Sequence, residues 1–356
     1  MNTKIIISTA LITCAFLTLS GCKPKKSDNI IVDKFPETIS LSGSPVKEIE
    51  VFDKGNVNLL VIDSFLIVQK TYEKFIQIFS TNTHKFLTEF GSRGRGPNEF
   101  FSPVLTGQTG YVPITKNPLV YVYDTELRHL TCIDILECII NPKHINNEKK
   151  IPDVNSHLTR FFYTNDSIFF AIPEDGGRFL FYNYITLKIK IIPFLPGTGF
   201  SIKRDLLHSV YRSACVINKE ERLIAAAAVC LGKIDFFDLE GNYIKSTIFE
   251  SGKNLKKSLN TGAETLDPVI QITQLVSEGD LIYGLNKNNR ISDIYETKKY
   301  TNFKIMVFNW SGQPVSEYIL DQRHISSFAV DLSHNRIYGY CPDEEEHTIV
   351  VYNLKE

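Results

Sequence analysis

No excess of charge of either sign marks this chain: 39 Lys and Arg stand against 40 Asp and Glu, for a formal net charge of -1. Gripping a phosphate backbone needs a basic surface, so nucleic acid is excluded as the partner that organises the protein. Cysteine is sparse and awkwardly numbered. Of seven, Cys14 falls in an N-terminal apolar run and Cys22 closes that run, which leaves Cys132, Cys138, Cys215, Cys230 and Cys341. An odd set cannot make a complete disulfide framework. No CxxC or Cys/His spacing suits zinc, so these residues read as small apolar strand residues, with a Cys132 to Cys138 bridge as the alternative. Neither a metal nor a cofactor is expected.

Catalytic signatures are missing as well. There is no GxSxG elbow and no HExxH, which removes the commonest sequence marks of serine hydrolases and zinc peptidases. The Gly-rich segment Gly91 to Phe100 lacks the Lys followed by Ser or Thr of a phosphate loop, and it precedes a strand rather than a helix. The acidic run Asp343 to Glu346 lacks the ligand spacing and the Gly of a calcium loop, and reads as a solvated turn. Convincing 3.6-residue periodicity is also absent, so helices are expected only as short decorations.

What is present begins at the N-terminus. Lys4 precedes an apolar run from Ile5 to Leu19, which ends in Leu19, Ser20, Gly21 and Cys22. A positive start, an apolar middle and small residues before a Cys form the pattern a lipoprotein signal peptidase cuts. Residues 1–21 are therefore expected to be a signal peptide and Cys22 the acylated first residue of the mature chain. Several acyl chains anchor stably in a bilayer where one binds only marginally. Residues 22–44 read as a tether, with Lys23, Lys25 and Lys26 beside the anchor. No acidic stretch follows Cys22, which favours the periplasmic face of an outer membrane over the cell surface.

Beyond residue 45 the chain is written in short β-rich runs: Phe65 to Val68, Pro118 to Tyr123, Ser167 to Ile172, Arg222 to Ala227, Asp280 to Leu285 and Asn335 to Tyr340. They recur roughly every 49 to 58 residues, close to the period of a four-stranded propeller blade. After each come further runs separated by turns such as Leu239 to Asn242 and Trp310 to Gln313, whose Gly suits a tight hairpin. The expected fold is all-β, a six-bladed β-propeller over residues 45–356; two separate β-sandwiches are the alternative. The last repeat carries only three runs, and Pro45 to Phe52 is an unassigned strand that would complete it and close the ring. The inserts Asn141 to Asn155 and Asn286 to Thr301 read as loops.

The signal ending in Cys22, the segment FGSRGRGPNEF (Phe90 to Phe100) and the ending NRIYGYCPDEEEHTIVVYNL (Asn335 to Leu354) resemble the TolB-like six-bladed propeller lipoproteins of Gram-negative envelopes. The resemblance covers nearly all of the mature chain. It implies an anchored propeller and carries no particular activity.

In such a ring the loops joining second to third strands, and fourth strands to the next blade, share one face. The sequence places there Gly91 to Phe100, Pro173 to Arg178, Pro196 to His208, Asp321 to His324 and Cys341 to His347. Arg93 and Arg95, between glycines, could offer guanidinium forks to an anionic or hydroxyl-rich ligand. Arg204, His208, Arg323 and His324 would add donors, and Glu99 is the nearest acid. The reading is a non-catalytic binding or scaffold module for an envelope protein or glycan. The alternative is a hydrolase or lyase acting on a sugar or lactone in the channel, which needs convergent acid and base groups.

Overall fold

The computed structural model describes residues 29–51, 53, 56–72, 74–151, 158–164, 168–173, 176–194, 201–250, 255–256, 267–301 and 303–354. Their strands form six antiparallel meanders. Blade 1 comprises Asn58–Ile62, Phe65–Gln69, Ile76–Ser80 and Phe86–Phe90, and blade 2 comprises Pro103–Tyr111, Pro118–Asp124, His129–Asp134 and Asn147–Lys150. Blade 3 is Leu158–Tyr163, Ile168–Pro173, Phe179–Asn183 and Lys188–Ile192; blade 4 is Ser213–Asn218, Leu223–Ala228, Lys233–Asp238 and Tyr243–Ile248. Blade 5 is Val269–Glu278, Leu281–Arg290, Lys304–Asn309 and Pro314–Ile319. Blade 6 takes Ser327–Asp331, Arg336–Tyr340 and Ile349–Asn353 from the end of the chain and Ser44–Pro45 from its beginning. Each recurring run of the sequence is the second strand of a blade.

Those second strands are apolar over most of their length because both of their faces are covered, the blade 5 strand alone turning polar from Asn286 onward. In Phe65–Gln69, Leu66 and Val68 pack toward blade 6 while Ile67 packs toward blade 2. In Leu223–Ala228, Ala225 and Ala227 face blade 5, and Ile224 and Ala226 face blade 3. Successive side chains of a strand point to opposite sides, so a strand sandwiched between sheets loses the polar alternation of a half-exposed one. The hydrophobic core is therefore a set of wedges, one between each pair of neighbouring blades. Two wedges are further tied by an amide: Gln108 exchanges hydrogen bonds with the Tyr163 backbone, at 2.6 and 2.9 Å, and Gln274 does the same with Phe328, at 2.9 and 3.0 Å.

The hairpin turns follow the expected chemistry. Gly241 and Gly312 adopt φ of +80° and +77°, a region costly for residues bearing a Cβ. A Cβ at Gly241 would also stand 2.6 Å from the Phe181 ring of blade 3. Helices are short; Ile135–Ile140 starts where the Asp134 side chain accepts the Glu137 amide, the usual capping of an exposed helix end. The five cysteines Cys132, Cys138, Cys215, Cys230 and Cys341 are free, and Cys138 is hydrogen-bonded to Asn146 rather than bridged.

Three expectations need correction. The tether of residues 22–44 belongs to the ring from residue 29 onward: Ile30–Ile31 pairs in parallel with the fourth strand of blade 4, and Glu37–Ser40 with that of blade 5. Val32, Phe35 and Leu41 are buried against those blades, which supplies the apolar contact a solvated tether would lack. The closing strand is Ser44–Pro45, shorter than Pro45 to Phe52, whose last residue lies outside the described residues; Val46 still donates its amide to the Ile349 carbonyl, and Val46, Ile49 and Val51 fill the wedge between blades 6 and 1. Finally, the inserts are partly regular: Asn147–Lys150 is the fourth strand of blade 2, and Leu281–Arg290 runs into a helix at Ile291–Tyr295.

Candidate functional site

Strand connectivity puts the described parts of the loops named from sequence on one face, opposite the hairpin turns; residues 174–175 and 196–200 of those loops lie outside the described residues. That loop face carries two hollows of contrasting charge. The larger, about 1420 Å³, lies over blades 5, 6 and 1 and is lined by Glu50, Asp53, Asp343, Glu344, Glu345 and Glu346 along with Lys298, His324 and His347. Tyr72 and Tyr295 stand on its walls, 69% and 66% exposed. A volume above the usual 300–1,000 Å³ of small-molecule pockets suits a segment of a larger ligand.

At one end of this cleft a row of polar groups runs inward. The Asp343 carboxylate accepts hydrogen bonds from Tyr300 and from His324 Nδ1, the latter at 3.0 Å, and Lys298 approaches to 3.8 Å. Burial raises the Asp343 carboxyl, but the bonds from Tyr300 and His324 outweigh it and hold the group below the usual carboxylate range. The other ring nitrogen of His324, Nε2, faces Lys287 Nζ at 3.5 Å. His324 is stacked on Tyr300 with centroids 4.8 Å apart. Burial, reinforced by the Lys287 charge, lowers the His324 pKa, so the ring is neutral, donating from Nδ1 and accepting at Nε2. Lys287 itself is buried and pushed down to about 8 by desolvation.

The smaller hollow, about 490 Å³, opens between blades 3, 4 and 5 near the axis. Its lining includes Arg160, Arg178, Arg212 and His208 and contains no carboxylate among the described residues. Arg178 is neutralised: it pairs with Asp235 of blade 4, bonds Ser213 and the Ala226 carbonyl, and shares Asp235 with Lys233 at 3.2 Å. Arg160 is half-buried on the first strand of blade 3, and among the described residues its guanidinium has no hydrogen-bond or ion-pair partner. Phe194 and Tyr211 give the hollow an aromatic wall, with His208 edge-on to Phe194 at 4.8 Å.

The structure spreads the sequence candidates over the face instead of gathering them. Arg93 and Arg95 are exposed above Phe101, with guanidinium carbons 5.8 and 5.5 Å from the ring centre, and line neither hollow. Glu99 is turned inward, accepting the Gly96 amide at 2.6 Å, so it shapes the Gly-rich segment. Asn98 ties that segment to the blade 2 insert through Asn146. Arg204 is exposed on the short turn Arg204–Leu206, while His208, a few residues on, reaches the smaller hollow. Arg323 is held by the Gly43 carbonyl, Asp321 and Glu344; His324 alone of the set enters the larger cleft.

Sequence reasoning missed Lys287, Asp343 as a histidine partner, and Arg160 with Arg212. A charged residue inside an apolar strand was the available signal for Arg160 in LTRFFY and for Asp235 in KIDFFD. Among the described residues no group of three or more His, Cys, Asp and Glu side chains is placed to hold a metal. Nor is any described helix long and apolar enough to cross a membrane.

Two solved structures share this ring. A Bacteroides fragilis protein described as exported aligns with a TM-score of 0.52 at 12% identity, over 92% of this chain and 99% of its own. A DUF4221-family protein of Bacteroides vulgatus aligns with a TM-score of 0.53, also at 12% identity, over 88% of this chain and 96% of its own. Likeness at that identity speaks for the fold alone. No curated protein matches the sequence. The sequence profile of the TolB-like 6-blade propeller-like family matches residues 35–333, which takes in the parallel strand on blade 5 and ends within blade 6. With the ring of six meanders on which that profile lies, the chain belongs to the TolB-like six-bladed propeller family.

Proposed function

We propose that the protein is an exported, acyl-anchored binding module that holds an envelope glycan or protein in the larger cleft without chemical turnover. The observation that carries this is the pairing of two exposed tyrosines, Tyr72 and Tyr295, with a carboxylate-lined floor. Tyr rings offer an apolar face with a polar tip, and carboxylates accept hydrogen bonds from hydroxyl or cationic groups. The His324 geometry supports binding over a hydrolase or lyase. Both ring nitrogens are engaged, one by Asp343 and one by Lys287, so this ring has no free nitrogen to take a proton from a ligand.

Anchoring rests on the Leu19 to Cys22 pattern, with Cys22 outside the described residues. The fold relative from Bacteroides fragilis, described as exported, supports an envelope location. The placement is the outer membrane, facing the periplasm. Cys22→Ser should move the protein from the membrane to the soluble fraction; retention in the membrane would refute the anchor.

For the cleft, soluble protein starting at Lys23 is passed over immobilised envelope glycan and envelope protein fractions beside a Tyr72→Ala/Tyr295→Ala variant. Retention on one fraction, reduced at least tenfold in the variant at unchanged Tm, is expected. Equal retention of both proteins would refute the cleft as the site.

A further inference from the structure

We infer that the smaller hollow is a second binding site, specific for a small molecule bearing an oxyanion, with Arg160 and Arg212 as its anion-binding residues. The argument starts from charge. Arg178, Arg160 and Arg212 converge on one cavity, and Asp235, the acid beneath it among the described residues, is already shared between Arg178 and Lys233. Among the described residues neither the Arg160 nor the Arg212 guanidinium has a hydrogen-bond or ion-pair partner, and of the two Arg160 is half-buried while Arg212 is exposed at the mouth.

A guanidinium stays charged in a protein. Withdrawing one from water without a counter-ion is unfavourable, and the usual remedies are a paired acid or a ligand. Among the described lining residues the acid is missing. Burial, with the like charge of Arg212 adding to it, lowers the Arg160 pKa from its ordinary value, as an unpaired cation in such a place requires. An incoming carboxylate or phosphate would meet planar donors suited to two parallel hydrogen bonds.

The cavity also says how large the ligand is. About 490 Å³ falls within the range of small-molecule pockets and exceeds what a bare anion fills. Hydroxyls of Thr159, Ser209, Ser213 and Thr273 line it, those of Thr159, Ser213 and Thr273 already donating to backbone carbonyls, and Phe194 and Tyr211 supply apolar wall. Hydroxyl oxygens left to accept from a ligand's own hydroxyls, beside an aromatic face, fit a sugar-sized body carrying the acid group. The site is separate from the tyrosine-flanked cleft: the two linings share no residue.

The test uses the soluble chain from Lys23 with four probes: glucuronate, glucose 6-phosphate, inorganic phosphate and glucose, by calorimetry at low and moderate salt. Glucuronate or glucose 6-phosphate should bind, at least tenfold tighter than glucose, and the stronger of the two identifies the oxyanion. Arg160→Gln should weaken that binding at least tenfold with Tm unchanged or raised, because an unpaired charge leaves. Arg160→Lys should recover part of it, and added salt should weaken the wild type. The Tyr72→Ala/Tyr295→Ala variant should bind these probes as the wild type does, which separates this site from the larger cleft. Absence of binding to every probe, binding that survives Arg160→Gln, or inorganic phosphate binding as tightly as either sugar acid would overturn the inference.

Discussion

Lys287 Nζ lies 3.5 Å from His324 Nε2, and through the imidazole its charge is connected to the Asp343 carboxylate. A buried ammonium thus meets a neutral ring in place of an acid. Among the described residues no carboxylate forms an ion pair with Lys287.

Lys287 should therefore destabilise the fold at neutral pH. Its pKa falls from an ordinary 10.5 to about 8 on folding, so between those values the unfolded chain binds more protons and stability rises with pH. Below about pH 8 the full penalty applies. Lys287→Met should raise unfolding free energy at pH 7 by about 1–3 kcal/mol, an advantage that shrinks toward pH 10.5. Urea unfolding of both proteins across pH 7 to 10.5 would show it, and a pH-independent difference would contradict it.

Glu278 behaves in the opposite sense on the hairpin-turn face. Burial first, then Asp331 and Asp63, raise its pKa from 4.5 to about 7. Stability from that protonated form is fully present below about pH 4.5 and lost as pH rises through about 7. Glu278→Gln should then stabilise by on the order of 2 kcal/mol at pH 8 and by little at pH 4.5. Thermal melts at the two pH values would decide; equal shifts would rule out titration of Glu278.

Arg178 and Asp235 join blades 3 and 4 as a pair with 1% and 0% side-chain exposure. Removing one partner strands the other charge, a loss of about 3–5 kcal/mol. Asp235→Ala should lower unfolding free energy in that range, since Lys233 loses its ion pair with Asp235 as well. Arg178→Met/Asp235→Leu should recover much of the loss in equilibrium unfolding.

The Gly-rich segment should divide into a structural half and a dispensable one. A Cβ on Gly94 would fall 2.0 Å from a Glu99 carboxylate oxygen, so Gly94→Ala must displace Glu99 from the Gly96 amide. Hydrogen exchange at that amide should accelerate. Arg93→Ala/Arg95→Ala removes only exposed contacts with Phe101 and should cost less than about 1 kcal/mol. A larger loss in urea titration would mean that these arginines hold the blades together.

The ring was legible in the sequence because a blade is local. Its strands are consecutive, and the doubly covered second strand writes an unbroken apolar run such as LIAAAA. The sites were less legible because they join distant residues. Arg178 and Asp235 are 57 positions apart, and Lys287 meets His324 only because two blades lie side by side. Lys287 sits in a stretch whose polarity reads as a loop, yet the strand continues through it to Arg290. Charges that looked like one mixed rim separate into an acidic basin and a basic one once the blades are placed around the axis.

The strand Ile30–Ile31 runs alongside Thr247 and Ile248 in the same direction. Fourth strands travel from the hairpin-turn face toward the loop face, so Asn29, just ahead of Ile30, lies on the hairpin-turn side of the ring. Six residues, 23–28, separate that point from Cys22, the proposed lipid attachment, a reach of at most about 25 Å. Such a short lead would seat the disc with its turns toward the bilayer and both basins facing the aqueous space. Cargo would thus be met from the periplasm, with no need to slip between the ring and the lipid.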